Sequence, residues 1–316
     1  MSAAATVSKG TKVAKQNPKR KGSPFERSER RAAWILLIPT LILVAAIAVY
    51  PAIRTVWLSL HEMVLTDPTS GYPFIGLKNY STILHDERAL KALIFTAKFT
   101  VVTVVLELAL GLVAALAMNR AFIGRGVVRA AILVPWAIPT AISAMMWKFI
   151  YNDQYGLFND VLSKLGIIDE YKAWLSTESG SFMALVIADV WKTAPFMALL
   201  ILAGLQMIDT ELYESAKVDG TSAWQRLVYI TLPLIKSTVL VALLFRTLDA
   251  FRVFDLISVM TDGANGTESM SLYAYRSMMK FLDFGYGSAL AVIVFIVVMG
   301  IGLGYAKLIG TTDEEK

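Results

Sequence analysis

The sequence predicts an all-α, polytopic membrane protein with six transmembrane helices. Hydrophobic residues make up 56% of the 316-residue chain and charged residues 17%, with a mean hydropathy of +0.58, where a soluble domain would be about 45–50% apolar. Apolar runs fall at about 34–57, 92–118, 130–150, 181–206, 234–260 and 287–309, each near the ~20 residues a helix needs to cross a bilayer. Between the fourth and fifth runs lies one polar, charged island, Asp209 to Pro233.

Ahead of the first run, residues 1–33 form a tail carrying Lys9, Lys12, Lys15, Lys19, Arg20, Lys21, Arg27, Arg30 and Arg31. Its low hydrophobicity predicts that it is unstructured or lies on the anionic inner leaflet. No small-residue cleavage site follows the first run, so that run reads as an uncleaved anchor. In the second run Lys98 and Glu107 are nine residues apart and face opposite ways. Lys98 is expected to snorkel outward and Glu107 to bond to a neighbouring helix. The third run contains Leu133-Val134-Pro135-Trp136-Ala137-Ile138-Pro139, whose two prolines remove backbone donors and predict a kink. Six spans put both termini on one side. Lysine and arginine number 17 in the segments on the side of the termini and 7 in the opposite loops, which predicts that both termini and the 209–233 island are cytoplasmic. The expected organisation is a basic tail (1–33), a six-helix domain (34–309) and a short cytoplasmic end (310–316).

The composition also excludes much. With no cysteine, there is no disulfide and no thiolate chemistry, and the only histidines are His61 and His85 in one polar loop. A histidine metal site or catalytic triad is not expected. No G-x-x-x-x-G-K-[ST] occurs, so the chain binds no ATP through a P-loop of its own. The net charge of +5 is concentrated in the tail, which gives nucleic-acid binding little support. The chain reads as a non-enzyme without a cofactor.

The island has local logic. Asp209 can cap a helix carrying Glu211, Tyr213, Glu214 and Ala216. Gly220 suits a left-handed stop, and Ser222 with Gln225 reads as a capping box for a second helix that Pro233 ends. Glu214, Ser215, Ala216, Asp219 and Gly220, followed after nine residues by Ile230, Leu232 and Pro233, resemble the E-A-A-x-x-x-G-x9-I-x-L-P motif of ATP-binding-cassette importer permeases. By that resemblance these eight residues form the element that docks on a separate ATPase. Phe74-Ile75-Gly76-Leu77-Lys78-Asn79-Tyr80 is similar to a segment of sugar-importer permeases, and the resemblance covers about residues 33–309.

Asp189, Lys192, Arg246, Asp249, Arg252 and Asp255 lie in or near the fourth and fifth runs. A mid-bilayer charge costs at least ~2.5–3.5 kcal/mol, so each should pair or face a wet cavity. At ~1.5 Å per residue from opposite sides, Lys192 and Arg246 reach similar depths, so opposite charges on the two spans can meet. Arg246 and Asp249 share a helix face, whereas Arg252 and Asp255 read as an outer packing pair. Two readings stay open: a salt-bridge network that only fixes packing, and a substrate pocket. The stretch Val190 to Phe196 resembles the substrate-contacting stretch of maltose-type permeases, and Trp136 aligns with an aromatic of that site. Asp189, Trp191, Lys192 and Phe196 combine carboxylate, ammonium and aromatic surfaces that suit a sugar, and with Arg246, Asp249 and Trp136 they make the candidate pocket. This chain has Asp189 where the relative has asparagine and Lys192 where it is apolar, which leaves the sugar open.

The family resembled is that of the maltose- and glycerol-phosphate-type permeases. Arg246-Thr247-Leu248-Asp249-Ala250-Phe251-Arg252 is most similar to the trehalose/α-glucoside branch. The resemblance implies a type I importer in a bacterial or archaeal cell membrane. Its partners would be a second permease subunit, two ATPase subunits, which carry the ATP, and an extracytoplasmic sugar-binding protein. The short IGTTDEEK end fits the first of two permease subunits. The alternatives are an ion-coupled transporter relaying charge through Asp189, Asp249 and Lys192, and a permease for another solute such as a glycerol phosphate.

Overall fold

The computed structural model describes residues 24–67 and 71–314, with side chains over 33–67 and 71–310. The lysines of the basic tail at 9–21 lie outside the described residues. The chain divides into two units, one ending at Arg54 and one starting at Thr55.

The first unit is helical. α1 (Pro24–Val44) passes through a π-turn at Ala45–Val49 into α2 (Tyr50–Ser59), which continues past the division. Pro24 at its first position needs no donor, and its fixed φ suits a helix start. The helix therefore begins ten residues before the apolar run, and residues 24–33 of the expected tail are helical. The π-turn has a local cause. Pro51 cannot donate and its ring crowds the carbonyl four residues back, so the turn widens and Tyr50 donates to the Ala45 carbonyl.

In the second unit, α3 (Lys78–His85) precedes the long α4 (Glu87–Asn119), which Asp86 caps through the Arg88 N–H. α5 (Arg125–Ala137) and α6 (Thr140–Ile150) are bent by 94°. The expected kink is a full break: Ile138 precedes Pro139 and is extended, with ψ at 131°, because the proline ring disfavours the helical conformation of the residue before it. α7 (Leu157–Lys164) and a 3-10 turn at Trp174–Ser176 lead to α8 (Glu178–Leu205). α9 (Thr210–Val218) and α10 (Ala223–Arg226) follow, then a π-turn at Leu227–Thr231, α11 (Leu232–Leu234) and α12 (Lys236–Ala250). This second π-turn also sits just ahead of a proline, Pro233, and the chain bends 70° at Ile235.

The run expected at 234–260 ends early, at Ala250. Phe251 turns into a core with Tyr273, Ala289 and Leu290, and Ser269 Oγ donates to the Val253 carbonyl that the break leaves free. α13 (Asp255–Met260), α14 (Met270–Met279) and the long α15 (Phe284–Glu314) complete the chain. Among the described residues, four helices are long and apolar enough to cross a membrane, or six if each bent pair is one span.

α4 packs along α8. A Cβ on Gly111 would stand 2.8 Å from Met197 Cγ, so only glycine allows this approach. Phe95, Phe99, Leu185 and Ile257 fill one core, and Met118, Met197, Ile201 and Ile235 another. Glu107 and Thr193 lie on this α4–α8 seam, where α12 meets both helices.

Candidate functional site

The 209–233 island folds as one tight unit. Asp209 Oδ1 accepts from the Glu211 N–H at 3.0 Å and starts α9. Gly220 ends it with φ at +77°, its N–H bonding the Lys217 carbonyl while Thr221 N–H bonds that of Ala216. This pair of bonds satisfies the last carbonyls of the helix. Ser222 and Gln225 form the reciprocal cap of α10, with bonds of 2.7 and 3.2 Å. Tyr213 Oη meets Thr231 Oγ1 at 3.0 Å, and Arg226 donates to the Thr221 carbonyl, tying the two helices together. Ala216 is buried beneath α9, whereas Glu214, Ser215, Asp219 and Pro233 are exposed; Ile230 and Leu232 are half-buried.

Deep in the α4–α8–α12 seam, Arg246 gathers three carboxylates. Its Nε and Nη2 donate to Glu107 at 2.5 and 2.7 Å, Nη2 lies 3.2 Å from Asp189, and Nη1 donates to Asp249 at 2.5 Å. Thr193 Oγ1 lies 2.6 Å from Glu107 Oε1 and 2.6 Å from the Asp189 carbonyl oxygen. Burial is graded: Glu107 is fully buried, the Arg246 side chain 3% exposed and that of Asp249 68% exposed. A depression of about 150 Å³ opens from this cluster, lined by Asp189, Lys192, Thr193, Arg246 and Asp249. Opposite charges of α8 and α12 thus meet at a common level, as the rise per residue requires.

The structure brings four of the seven candidate pocket residues together and separates three. Trp136 and Phe196 stack on each other, with centroids 5.6 Å apart. Trp191 packs edge-on against Trp147 at 5.7 Å. None of the three lines the charged depression. For Trp191 the reason is helical phase, since two residues from Asp189 is about 200° round α8. Arg252 and Asp255 form no ion pair either: a turn rather than a helix joins them, and Arg252 Nε donates to the Leu248 carbonyl at 3.1 Å. Glu107, the centre of the cluster, was absent from the candidate pocket. As the lone acid in the apolar body of its run, it signalled a polar partner without showing which helix supplied it.

A second charged network ties the loop regions beside α3, α13 and α14. Arg88 holds Glu268 at 2.6 and 2.7 Å, Arg276 reaches Glu268 at 2.7 Å and Asp262 at 2.8 Å, and Tyr273 donates to Asp86 at 2.6 Å. Burial pushes the carboxyls of Glu268, Asp262 and Asp86 up, but their hydrogen bonds outweigh it and hold all three below their usual range. Such acids contribute stability above their unfolded values of 3.8–4.5, and it is lost as pH falls through the lower folded values. Hydrogen exchange of segment 255–283, followed against pH, should show protection that persists from neutrality to about pH 4 and falls below it. Loss of protection already at pH 6 would contradict this assignment.

The family profile described as "Binding-protein-dependent transport system inner membrane component" matches residues 107–307, which span the cluster and the island. The chain belongs to that family. It is a permease subunit of a binding-protein-dependent importer, placed in the inner membrane and working with a binding protein and an ATPase, which removes the ion-coupled alternative. The permease is 44% identical over 288 residues to the trehalose/maltose transport system permease protein MalF of Thermococcus litoralis, covering 90% of this chain and 96% of the relative. It is 43% identical over 283 residues to the trehalose transport system permease protein SugA of Mycobacterium tuberculosis, covering 90% of each. The sulfoquinovosyl glycerol transport system permease protein SmoG of Agrobacterium fabrum is 39% identical, covering 92% of this chain and 94% of the relative. In fold, the permease is similar to a subunit of a bacterial ABC transporter importing alginate, with a TM-score of 0.79 at 23% identity, covering 92% of this chain and 99% of that one.

Proposed function

We propose that this permease carries a disaccharide of the trehalose/maltose type, forming half of the path with a second permease subunit above two ATPase subunits. The observation that carries the sugar is the similarity over nine-tenths of the chain to two permeases named for trehalose. The depression between α8 and α12 supports the same reading. Its carboxylates and cations nearly balance, which suits a neutral ligand rich in hydroxyls. Asp249, the exposed member, and Lys192 are its proposed sugar contacts, with Asp189 and Arg246 behind them; Trp136, Phe196 and Trp191 are at most peripheral walls.

The complex in proteoliposomes, supplied with its binding protein and ATP, should take up labelled trehalose or maltose in preference to glycerol 3-phosphate. Asp249→Asn should lower that uptake about tenfold, the value of one hydrogen bond to a charged group, at unchanged complex yield, and Trp191→Ala should lower it less. Preference for glycerol 3-phosphate would overturn the sugar assignment, and normal uptake by Asp249→Asn would leave the cluster as packing alone.

Glu214, Ser215, Asp219 and Gly220 are proposed to dock on the ATPase, with Ala216, Ile230, Leu232 and Pro233 setting the shape behind them. In support, Glu214 on α9 and Asp219 at its end are both exposed and form no ion pair among the described residues. Both termini and this face are proposed to be cytoplasmic. An impermeant maleimide on cells with any outer barrier opened should label Ser176→Cys and spare Met207→Cys until the membrane is permeabilised. The reverse pattern would invert the topology.

A further inference from the structure

The ends of α4 and α8 and the α9–α10 turn enclose a cleft of about 540 Å³. Its polar wall is Asn119 and Arg120 at the end of α4, Tyr213 and Lys217 on α9, and Trp224 and Arg226 on α10. Three cations converge on it, and no carboxylate lines it. Arg120 and Lys217 make no ion pair among the described residues, and Arg226 spends only one nitrogen, on the Thr221 carbonyl. Elsewhere Arg88, Arg246 and Arg276 meet carboxylates, while Arg129, Lys148 and Arg252 each donate to one backbone carbonyl, so what sets this wall apart is the convergence of three cations. The nearby acids, Glu211 and Glu214 on α9 and Asp219 just past its end, are exposed and lie outside the lining. The positive-inside bias accounts for a surplus of cations at these loops. It does not account for their meeting on one concave wall free of acids.

We propose that this cleft binds a phosphate-bearing anion, the chemistry shared by an anionic phospholipid headgroup and by soluble phosphate. Guanidinium and ammonium donors supply charge-assisted hydrogen bonds to phosphate oxygens. Location favours the lipid. The cleft sits where two membrane-crossing helices end, Leu116, Leu205 and Leu227 give it an apolar floor, and Tyr213 and the exposed Trp224 put rings on its wall. Amphipathic rings of this kind sit at headgroup level. The site is independent of which sugar is carried, and it uses none of the eight residues proposed to dock the ATPase.

The test uses the assembled complex, delipidated in detergent and offered phosphatidylglycerol or phosphatidylcholine, with bound lipid counted by native mass spectrometry. Wild type should retain phosphatidylglycerol preferentially. Arg120→Gln and Lys217→Gln should each lower that retention roughly fivefold, the worth of one cation near an anionic lipid. Arg120→Lys and Lys217→Arg should restore it, which separates lost charge from lost folding. In a second arm, displacement of the lipid by inorganic phosphate, or thermal stabilisation by phosphate without lipid preference, supports the anion site and makes its occupant soluble. Equal retention of both lipids by wild type and both glutamine variants, with no response to phosphate, overturns the proposal. So does loss of the ATPase from those variants with lipid retention unchanged, since the cations would then serve the protein partner.

Discussion

Arg246→Met is expected to destabilise the permease by about 3–5 kcal/mol, the cost of removing one member of a buried ionic cluster. The variant leaves Glu107 fully buried and Asp189 nearly so, each without the guanidinium that neutralised it. Thr193 remains as a donor to Glu107, but one hydroxyl does not replace a bidentate cation. Adding Glu107→Leu should recover part of the loss, because a pair replaced by apolar groups leaves no uncompensated charge between α4 and α12. Asp189 keeps Lys192 beside it in the depression, so recovery should be partial. The coupling read from the double-mutant cycle should exceed about 1 kcal/mol, as for residues in direct contact. Asp249→Asn should cost little stability, since its side chain is two-thirds exposed and solvent screens the pair. Thermal unfolding of the purified complex and its monodisperse yield give the readout. An Arg246→Met complex as stable as wild type would mean the cluster is hydrated and carries no stability.

The same cluster shows how far local reasoning reaches. Helical rise fixed the depths of Lys192 and Arg246, and spacing paired Arg246 with Asp249, because both follow from one helix at a time. Glu107 became the hub only when α4, α8 and α12 came together, which no single-run pattern specifies. Sugar-binding chemistry and family resemblance both group Trp191 with Asp189, although its 200° offset around α8 argues against a shared face. The island was the most legible part. Its caps, its left-handed stop and its capping box are contacts within about five residues, and all appear where their residue types require. The end of α12 at Ala250 was hidden, because residues 251–254 contain neither proline nor glycine and are drawn out of the helix by burial of Phe251 against α14 and α15. The start of α1 was hidden for the opposite reason: Arg27, Arg30 and Arg31 read as a solvated tail, while Pro24 marked the helix start.

Gly220→Val is expected to cut binding-protein-stimulated ATP hydrolysis and transport by roughly 5- to 30-fold, the equivalent of the 1–2 kcal/mol that a left-handed conformation costs an L-residue. Nothing lies within 4 Å of a Cβ built at this position, so the added side chain meets no collision. The penalty is confined to φ, which stands at +77° and which a β-branched residue strongly disfavours. Relief requires moving Gly220 out of that region. Doing so breaks the bonds to the Lys217 and Ala216 carbonyls and reorients α10 relative to α9. The exposed α9 face would then meet the ATPase at an altered angle, while α12 and the spans stay as they are. Complex assembly and basal hydrolysis are therefore expected to persist with coupling lost. Gly220→Asn supplies the control, since asparagine tolerates left-handed φ better than other side chains and should retain most coupling. A valine variant coupled as well as the asparagine one would show that the turn geometry does not transmit force. If both variants lost coupling equally, the added side chain itself would be blocking the ATPase surface.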